Sequence, residues 1–184
     1  MLRVVPPNRL RSSLAGLALV AVLAAPLGAL GTLVPAALRV AHAEGSFTPP
    51  EVTMAAESQA LDLVNTDRAA NGLPALEFDP TLATIARWRS EDMASRGYFS
   101  HDIGGYEVFQ VLRDWGVAYR IAGENLAYNY YGQDAATAQA ERALMDSPGH
   151  RANILRPDYT HLGVGVAVAA DGRYLFTQLF RKEW

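Results

Sequence analysis

Residues 162–180 read LGVGVAVAADGRYLFTQLF, and they indicate the class of fold more clearly than any other part of the chain. Apolar residues from Leu162 to Val168 alternate with glycine and alanine, which is the two-residue period of a β-strand. Asp171-Gly172 is a two-residue turn signal, and Tyr174–Phe180 supplies a return strand. The sequence therefore predicts an antiparallel hairpin near the C-terminal end.

The residues before the hairpin have the periodicity of helices instead. Apolar residues recur about every 3.6 positions over 60–69, and Asn71-Gly72 ends that run. Asp79 and Pro80 are typical of an N-cap and a first helical position, and Gly97 is placed to end the second helix. The sequence thus predicts two long helices, joined by an extended segment at 73–76.

Further helices are shorter and separated by irregular stretches. They are expected at 108–115 and from Asp134 or Thr137 to about Asp146, with a loop at 98–106. Residues 117–133 are rich in aromatic side chains and predicted to be irregular, apart from one further strand around 117–121. Helices that come first and strands that come last favour an α+β layered domain over a doubly wound sheet.

The first 43 residues have the features of an export signal. They contain four arginines and no acidic residue, carry no charge from Ser13 to Leu38, and end in Ala41-His42-Ala43. This pattern predicts a signal peptide cleaved after Ala43, a linker at 44–53 and one domain at 54–184. The alternative is an uncleaved signal anchor, because the apolar run is long enough to span a bilayer. The domain would be secreted in the first case and membrane-anchored in the second, outside the cytoplasm in both.

Charge and cysteine content exclude several classes of function. Four of the 16 Lys and Arg residues lie in 1–43, which leaves 12 basic residues against all 19 acidic ones in the rest of the chain. This negative excess argues against nucleic acid as a partner, and membrane contact is expected only through an uncleaved N-terminal segment. The absence of cysteine excludes disulfides, thiol nucleophiles and cysteine-based zinc sites. We expect a monomer held by an ordinary apolar core.

Three side chains are candidates for chemistry. His101 follows a helix end, His150 follows Ser147-Pro148-Gly149 at the junction of a loop and a helix, and Glu124 lies among glycine and apolar residues. Imidazole suits proton transfer and zinc ligation near neutral pH, and a partly buried carboxylate needs a partner. The plainer alternatives are that the histidines are solvated loop residues and that Glu124 holds its own loop through main-chain N–H groups.

These residues lie in motifs that resemble the CAP superfamily, which includes plant pathogenesis-related proteins and cysteine-rich secretory proteins. Residues 123–127 (GENLA) look like one family signature, and residues 147–155 (SPGHRANIL) followed by 162–166 (LGVGV) look like its bacterial form. The segments at 63–76, 98–101 (YFSH) and 177–180 (TQLF) are similar to other parts of the family pattern. The resemblance covers about 59–180.

The resemblance implies a three-layer α-β-α sandwich with a small antiparallel sheet. Many family members have a cleft with two histidines and two glutamates that in some binds zinc or another divalent ion. Carried over by motif, His101, His150 and Glu124 match three of the four, as putative cleft residues and metal ligands. In the family, the fourth member of this set is a glutamate three residues after a tryptophan. This chain has Leu144 at the tryptophan position and Ser147 at the glutamate position. A divalent ion would therefore be held more weakly than by the full set of four.

Three functional hypotheses follow. The first is an exported binding module whose cleft takes an extracellular lipid, cell-wall component or peptide, with or without a divalent ion and with no organic cofactor. Tyr128, Tyr130 and Tyr131 are candidates to line that cleft, and the alternative is that they simply pack on a loop. The second is a hydrolase of the protease type that uses activated water, with a histidine as general base and Glu124 orienting it. A surface protein with a vestigial cleft is a third alternative.

Overall fold

The predicted hairpin forms the centre of a four-stranded sheet. The computed structural model describes residues 51–184, in which five helices surround four strands. In chain order these are α1 (Glu51–Ala70), β1 (Glu77–Phe78), α2 (Pro80–Arg96), α3 (Val108–Asp114), β2 (Ile121–Asn129), α4 (Gln133–Asp146), α5 (Pro148–Ile154), β3 (His161–Val168) and β4 (Tyr174–Lys182). The strand order is β1-β3-β4-β2; β1 runs parallel to β3, and the other pairs are antiparallel.

The two faces of the sheet carry different helices, which confirms the three-layer α-β-α arrangement. Alternate residues of β3 and β4, among them Leu162, Val164 and Phe180, pack with residues of α1, α4 and α5 in one core. On the opposite face, Leu179 packs with residues of α2 and α3 in a second core. Both faces of the sheet are therefore buried, and apolar residues of the strands pack on both sides.

Two glycines of β3 let α2 lie directly on the sheet. A Cβ atom at Gly163 would fall 2.2 Å from the main-chain nitrogen of Ala83, and one at Gly165 would fall 2.0 Å from that of Arg87. The alternation of valine and glycine therefore marks two buried faces, one filled by side chains and the other by a helix. The second helix begins and ends as predicted, since Asp79 accepts hydrogen bonds from the amides of Thr81 and Leu82, and Gly97 adopts φ 69°.

Two predicted boundaries are wrong. Helix α1 begins at Glu51, inside the predicted linker at 44–53, because both prolines of that stretch precede the helix and an acidic residue in a first turn is favourable. The further strand predicted around 117–121 instead spans Ile121–Asn129 as β2 and pairs with β4 over its whole length, so only the flanks of 117–133 are irregular. The predicted signal segment at 1–43 lies outside the described residues. None of the helices described combines the length and apolar character needed to cross a bilayer.

Candidate functional site

Glu124 lies on β2, on the face of the sheet that α2 covers, and is not a loop residue. Its residue surface is 8% exposed, and its Oε1 atom is 3.3 Å from Nε of Arg89, a fully buried residue of α2. A buried carboxylate without a partner would be costly, so the guanidinium compensates the charge that the strand places there. Sequence analysis missed Arg89, because its spacing on α2 does not show which side chain it meets.

His101 completes this group from the opposite side. Its Nδ1 atom is 2.6 Å from Oε2 of Glu124, while 59% of its side chain remains exposed. The hydrogen bond to Glu124 raises the pKa of His101 above its ordinary value of 6.5, against the opposing effects of partial burial and of the charge on Arg89. The carboxylate thus orients the ring and leaves Nε2 as the nitrogen available to a ligand.

Arg89 also holds the segment that carries His101. It donates to the hydroxyl of Tyr98 at 2.6 Å and to the main-chain carbonyl of Ser100, and the Tyr98 hydroxyl donates to Oδ2 of Asp92 at 2.5 Å. Burial and the hydrogen bond to Asp92 raise the pKa of the Tyr98 phenol. One buried guanidinium therefore links β2 to the turn that presents the imidazole.

His150 lies in the first turn of α5, which Pro148 begins. Its Nδ1 atom is 3.0 Å from Oγ of Ser147, the residue found where the fourth family glutamate was expected. Burial lowers the pKa of His150, and the charge on His101 lowers it further. Glu124 is hydrogen-bonded to His101, whereas the ring of His150 is bonded to Ser147.

Two asparagines of the quoted motifs join the segments that carry these side chains. Asn125 donates to the carbonyl of His150 and to Oε1 of Gln178, both at 3.1 Å. Asn153 donates to Oδ1 of Asn125 at 2.8 Å and to the carbonyl of Glu124 at 3.3 Å. Sequence analysis quoted both asparagines without giving them a role, although a fully buried Asn125 beside Glu124 must find partners.

A cleft of about 320 Å³ opens beside these residues. Its lining comes from β2 and from the segments on either side of it: His101, Glu107, Val108, Phe109, Ala122, Gly123, Glu124, Asn153, Arg156 and Tyr159. His150, which was predicted to be a cleft residue, is not among these residues. Tyr128, Tyr130 and Tyr131 are not among them either. They are exposed at and beyond the other end of β2, where Tyr128 contacts Phe99 edge-on at 4.8 Å, so the prediction that they line this cleft is wrong.

The donors present fit a divalent ion only in part. Oε2 of Glu124 is engaged by His101 and Oε1 lies beside Arg89, while Nδ1 of each histidine is also engaged, which leaves the two Nε2 atoms. Within residues 51–184, no three histidine or acidic side chains are grouped so as to hold a metal. Catalytic zinc sites supply three protein ligands. The metal-ligand role of His101, His150 and Glu124 stays a prediction.

The sandwich and its histidine–glutamate cleft define the class of CAP-type domains. The chain matches the model of the cysteine-rich secretory protein family (CAP) over residues 61–180 and belongs to that family. It is 37% identical over 132 residues to the uncharacterized protein YkwD of Bacillus subtilis, and 42% identical over 135 residues to the uncharacterized membrane protein YlbC of the same organism. These matches cover 71% and 73% of this chain.

The relatives are longer than the matched region. The chain spans 49% of YkwD and 36% of YlbC. Among solved structures, an extracellular protein of Bacillus anthracis that contains an SCP domain is similar, with a TM-score of 0.63 and 32% identity. That match covers 76% of this chain and 45% of the other. The family and fold are thereby established, and the extracellular relative agrees with the predicted export.

Proposed function

We propose that this protein is an exported binding module whose cleft takes an extracellular ligand through His101. The observation that carries the proposal is the half-exposed imidazole held by a 2.6 Å hydrogen bond to a buried carboxylate. A side chain fixed in this way has lost its rotamer freedom before the ligand arrives, which lowers the cost of binding. The ligand classes are peptide, cell-wall component and lipid, and the export signal predicted at 1–43 supports an extracellular site of action.

The experiment measures what the cleft retains. The full chain is produced with its export signal in a bacterial host, and molecules that co-purify with it are quantified by mass spectrometry. His101→Ala should lose at least nine-tenths of the retained ligand, while His161→Ala should not. His161 is a matched control, because it lies on β3 and does not line the cleft. Equal retention by all three proteins would exclude a His101-dependent binding site.

A second candidate function is hydrolysis, and one observation favours it. The pKa of His101 is raised and that of His150 is lowered, so over an interval of pH the first is protonated while the second is neutral. Neighbouring groups whose pKa values are pushed apart can act as general acid and general base on one substrate and one water molecule. In this candidate function His101 takes the acid role and His150 the base role.

The hydrolase candidate has its own test. The full chain is incubated with a diverse peptide pool, and cleavage products are followed by mass spectrometry across pH 5–8. Activity should rise and fall with pH, and His150→Ala should remove it while His161→Ala leaves it intact. A wild-type product profile that matches the His150→Ala profile would rule out the enzyme and leave the binding module.

Metal binding is a separate proposal for the same side chains. Zinc titration by calorimetry should detect exchangeable binding through the two Nε2 atoms, lost in a variant carrying both His101→Ala and His150→Ala. An identical titration of wild type and double variant would exclude these residues as ligands.

A further inference from the structure

The cleft lies along the free edge of the sheet. The strand order places β2 at one edge, and Ala122, Gly123 and Glu124 of that strand line the cleft. One wall comes from His101 and residues 107–109, on the side of α2 and α3. The other wall comes from Asn153 of α5 and from Arg156 and Tyr159, which follow α5 in the chain and lie on the opposite side. The cleft is thus a slot that continues the plane of the sheet.

Main-chain groups of β2 point into this slot. In an antiparallel pair, alternate residues direct their N–H and C=O toward the partner strand, and the residues between them direct theirs away. The carbonyl of Glu124 accepts from Asn153 on the side away from β4, so Ala122 and Glu124 are the outward-facing residues. Within the described part of the chain, no group bonds the N–H or C=O of Ala122, or the N–H of Glu124.

These groups decide between the possible ligands. An acyl chain in the slot would cover three main-chain groups and several charged side chains without giving any of them a hydrogen bond, which is costly. A second strand would match them, because its own N–H and C=O groups recur every two residues, roughly 7 Å apart, as do those of Ala122 and Glu124. Two charged residues of the lining are paired, since Arg89 lies beside Glu124 and Asp158 lies 3.6 Å from Arg156. The slot therefore favours a ligand that is bound through main-chain hydrogen bonds over one that is bound through its charge.

We propose that the cleft binds a peptide in extended conformation as a fifth strand of the sheet, hydrogen-bonded to the main chain of Ala122 and Glu124. Strand addition of this kind draws its affinity from main-chain hydrogen bonds and its selectivity from the side chains beside them. His101 and Phe109 on one wall and Tyr159 on the other are positioned to contact alternate side chains of the peptide. This inference rests on the proposed binding function and names its ligand class.

The test uses two probes that differ only in main-chain donors. The first is a pool of random-sequence hexapeptides, and the second is the same pool with every peptide nitrogen methylated. Amide hydrogen exchange of the full chain is followed residue by residue by NMR. The first pool should slow exchange of the Ala122 and Glu124 amides at least tenfold, and the second should not. No protection by either pool, or equal protection by both, would overturn strand addition.

A pair of variants gives an independent check. Ala122→Pro removes one outward N–H without removing a bond to β4, because proline is tolerated on the open side of an edge strand. Ala122→Ser keeps that N–H. Peptide binding should weaken about tenfold in the first and stay within twofold in the second, as expected for one lost hydrogen bond in a desolvated site. Should the proline variant fail to fold, as judged by thermal melting, the comparison of the two pools on the wild type decides.

The two proposals fail in different ways. A co-purified ligand that is lost in His101→Ala but binds Ala122→Pro and wild type equally would contradict strand addition and leave the binding module intact. Retention of the same material by His101→Ala and wild type would contradict the binding module itself.

Discussion

Replacing Arg89 by methionine should destabilise the protein severely, because the substitution strands a buried charge. Arg89 is fully buried, and its Nε lies 3.3 Å from a carboxylate whose side chain is 3% exposed. Methionine has similar length and no charge, so it leaves Glu124 with His101 alone. Breaking a buried ion pair in this way costs about 3–5 kcal/mol, and the bonds to Tyr98 and Ser100 are lost as well.

The measurement is urea denaturation at pH 7, followed by tryptophan fluorescence. Arg96→Met is the matched control on the same helix, because Arg96 also pairs with a carboxylate, Asp92 at 3.2 Å, but its own side chain is 57% exposed; we expect a loss of about 0.5 kcal/mol. Adding Glu124→Gln to Arg89→Met removes the stranded charge and should recover more than half of the loss. A cost below 1 kcal/mol for Arg89→Met, or no recovery in the double variant, would refute the account of this pair.

Three further substitutions test the packing and the buried acid. Gly165→Val should cost about 3 kcal/mol or more, because its side chain would meet the main chain of α2; unchanged thermal stability would contradict the close helix–sheet contact. Gly172→Val should cost about 1–2 kcal/mol in urea denaturation, since φ at this turn is 87°, and a neutral effect would count against the tight turn. Burial raises the pKa of Glu141 to about 7 from 4.5, so the folded state favours its protonated form. The free energy of unfolding should therefore fall by roughly 3 kcal/mol as the pH rises between these two pKa values. Glu141→Gln should flatten that dependence, and a variant with the wild-type slope would assign the effect to another group.

Local signals in the sequence predicted the elements that depend on local physics. The hairpin followed from strict alternation and Asp171-Gly172, and α2 followed from its capping residues. The strand β2 was missed, because both of its faces are covered and it buries Glu124 and Asn125, so polar and apolar residues do not alternate along it. Its pairing with β4 is a long-range property that no window of sequence displays.

The candidate site was also predicted only in part, because its contacts depend on long-range pairing. The motifs singled out His101, Glu124 and His150; the structure brings the first two into contact, and His150 does not line the cleft. They did not reveal Arg89, because an arginine inside an amphipathic helix usually faces solvent. The guanidinium is buried here only because β2 places a carboxylate opposite it, and that pairing depends on the assembled sandwich.

The most direct test of the site is the titration of His101, followed by NMR of its ring carbons in the full chain. The account predicts a pKa above the ordinary 6.5 in the wild type and a clear fall in Glu124→Gln, because an uncharged amide no longer favours the imidazolium. A His101 ring that titrates at an ordinary pH and ignores the loss of the carboxylate would contradict the site as described.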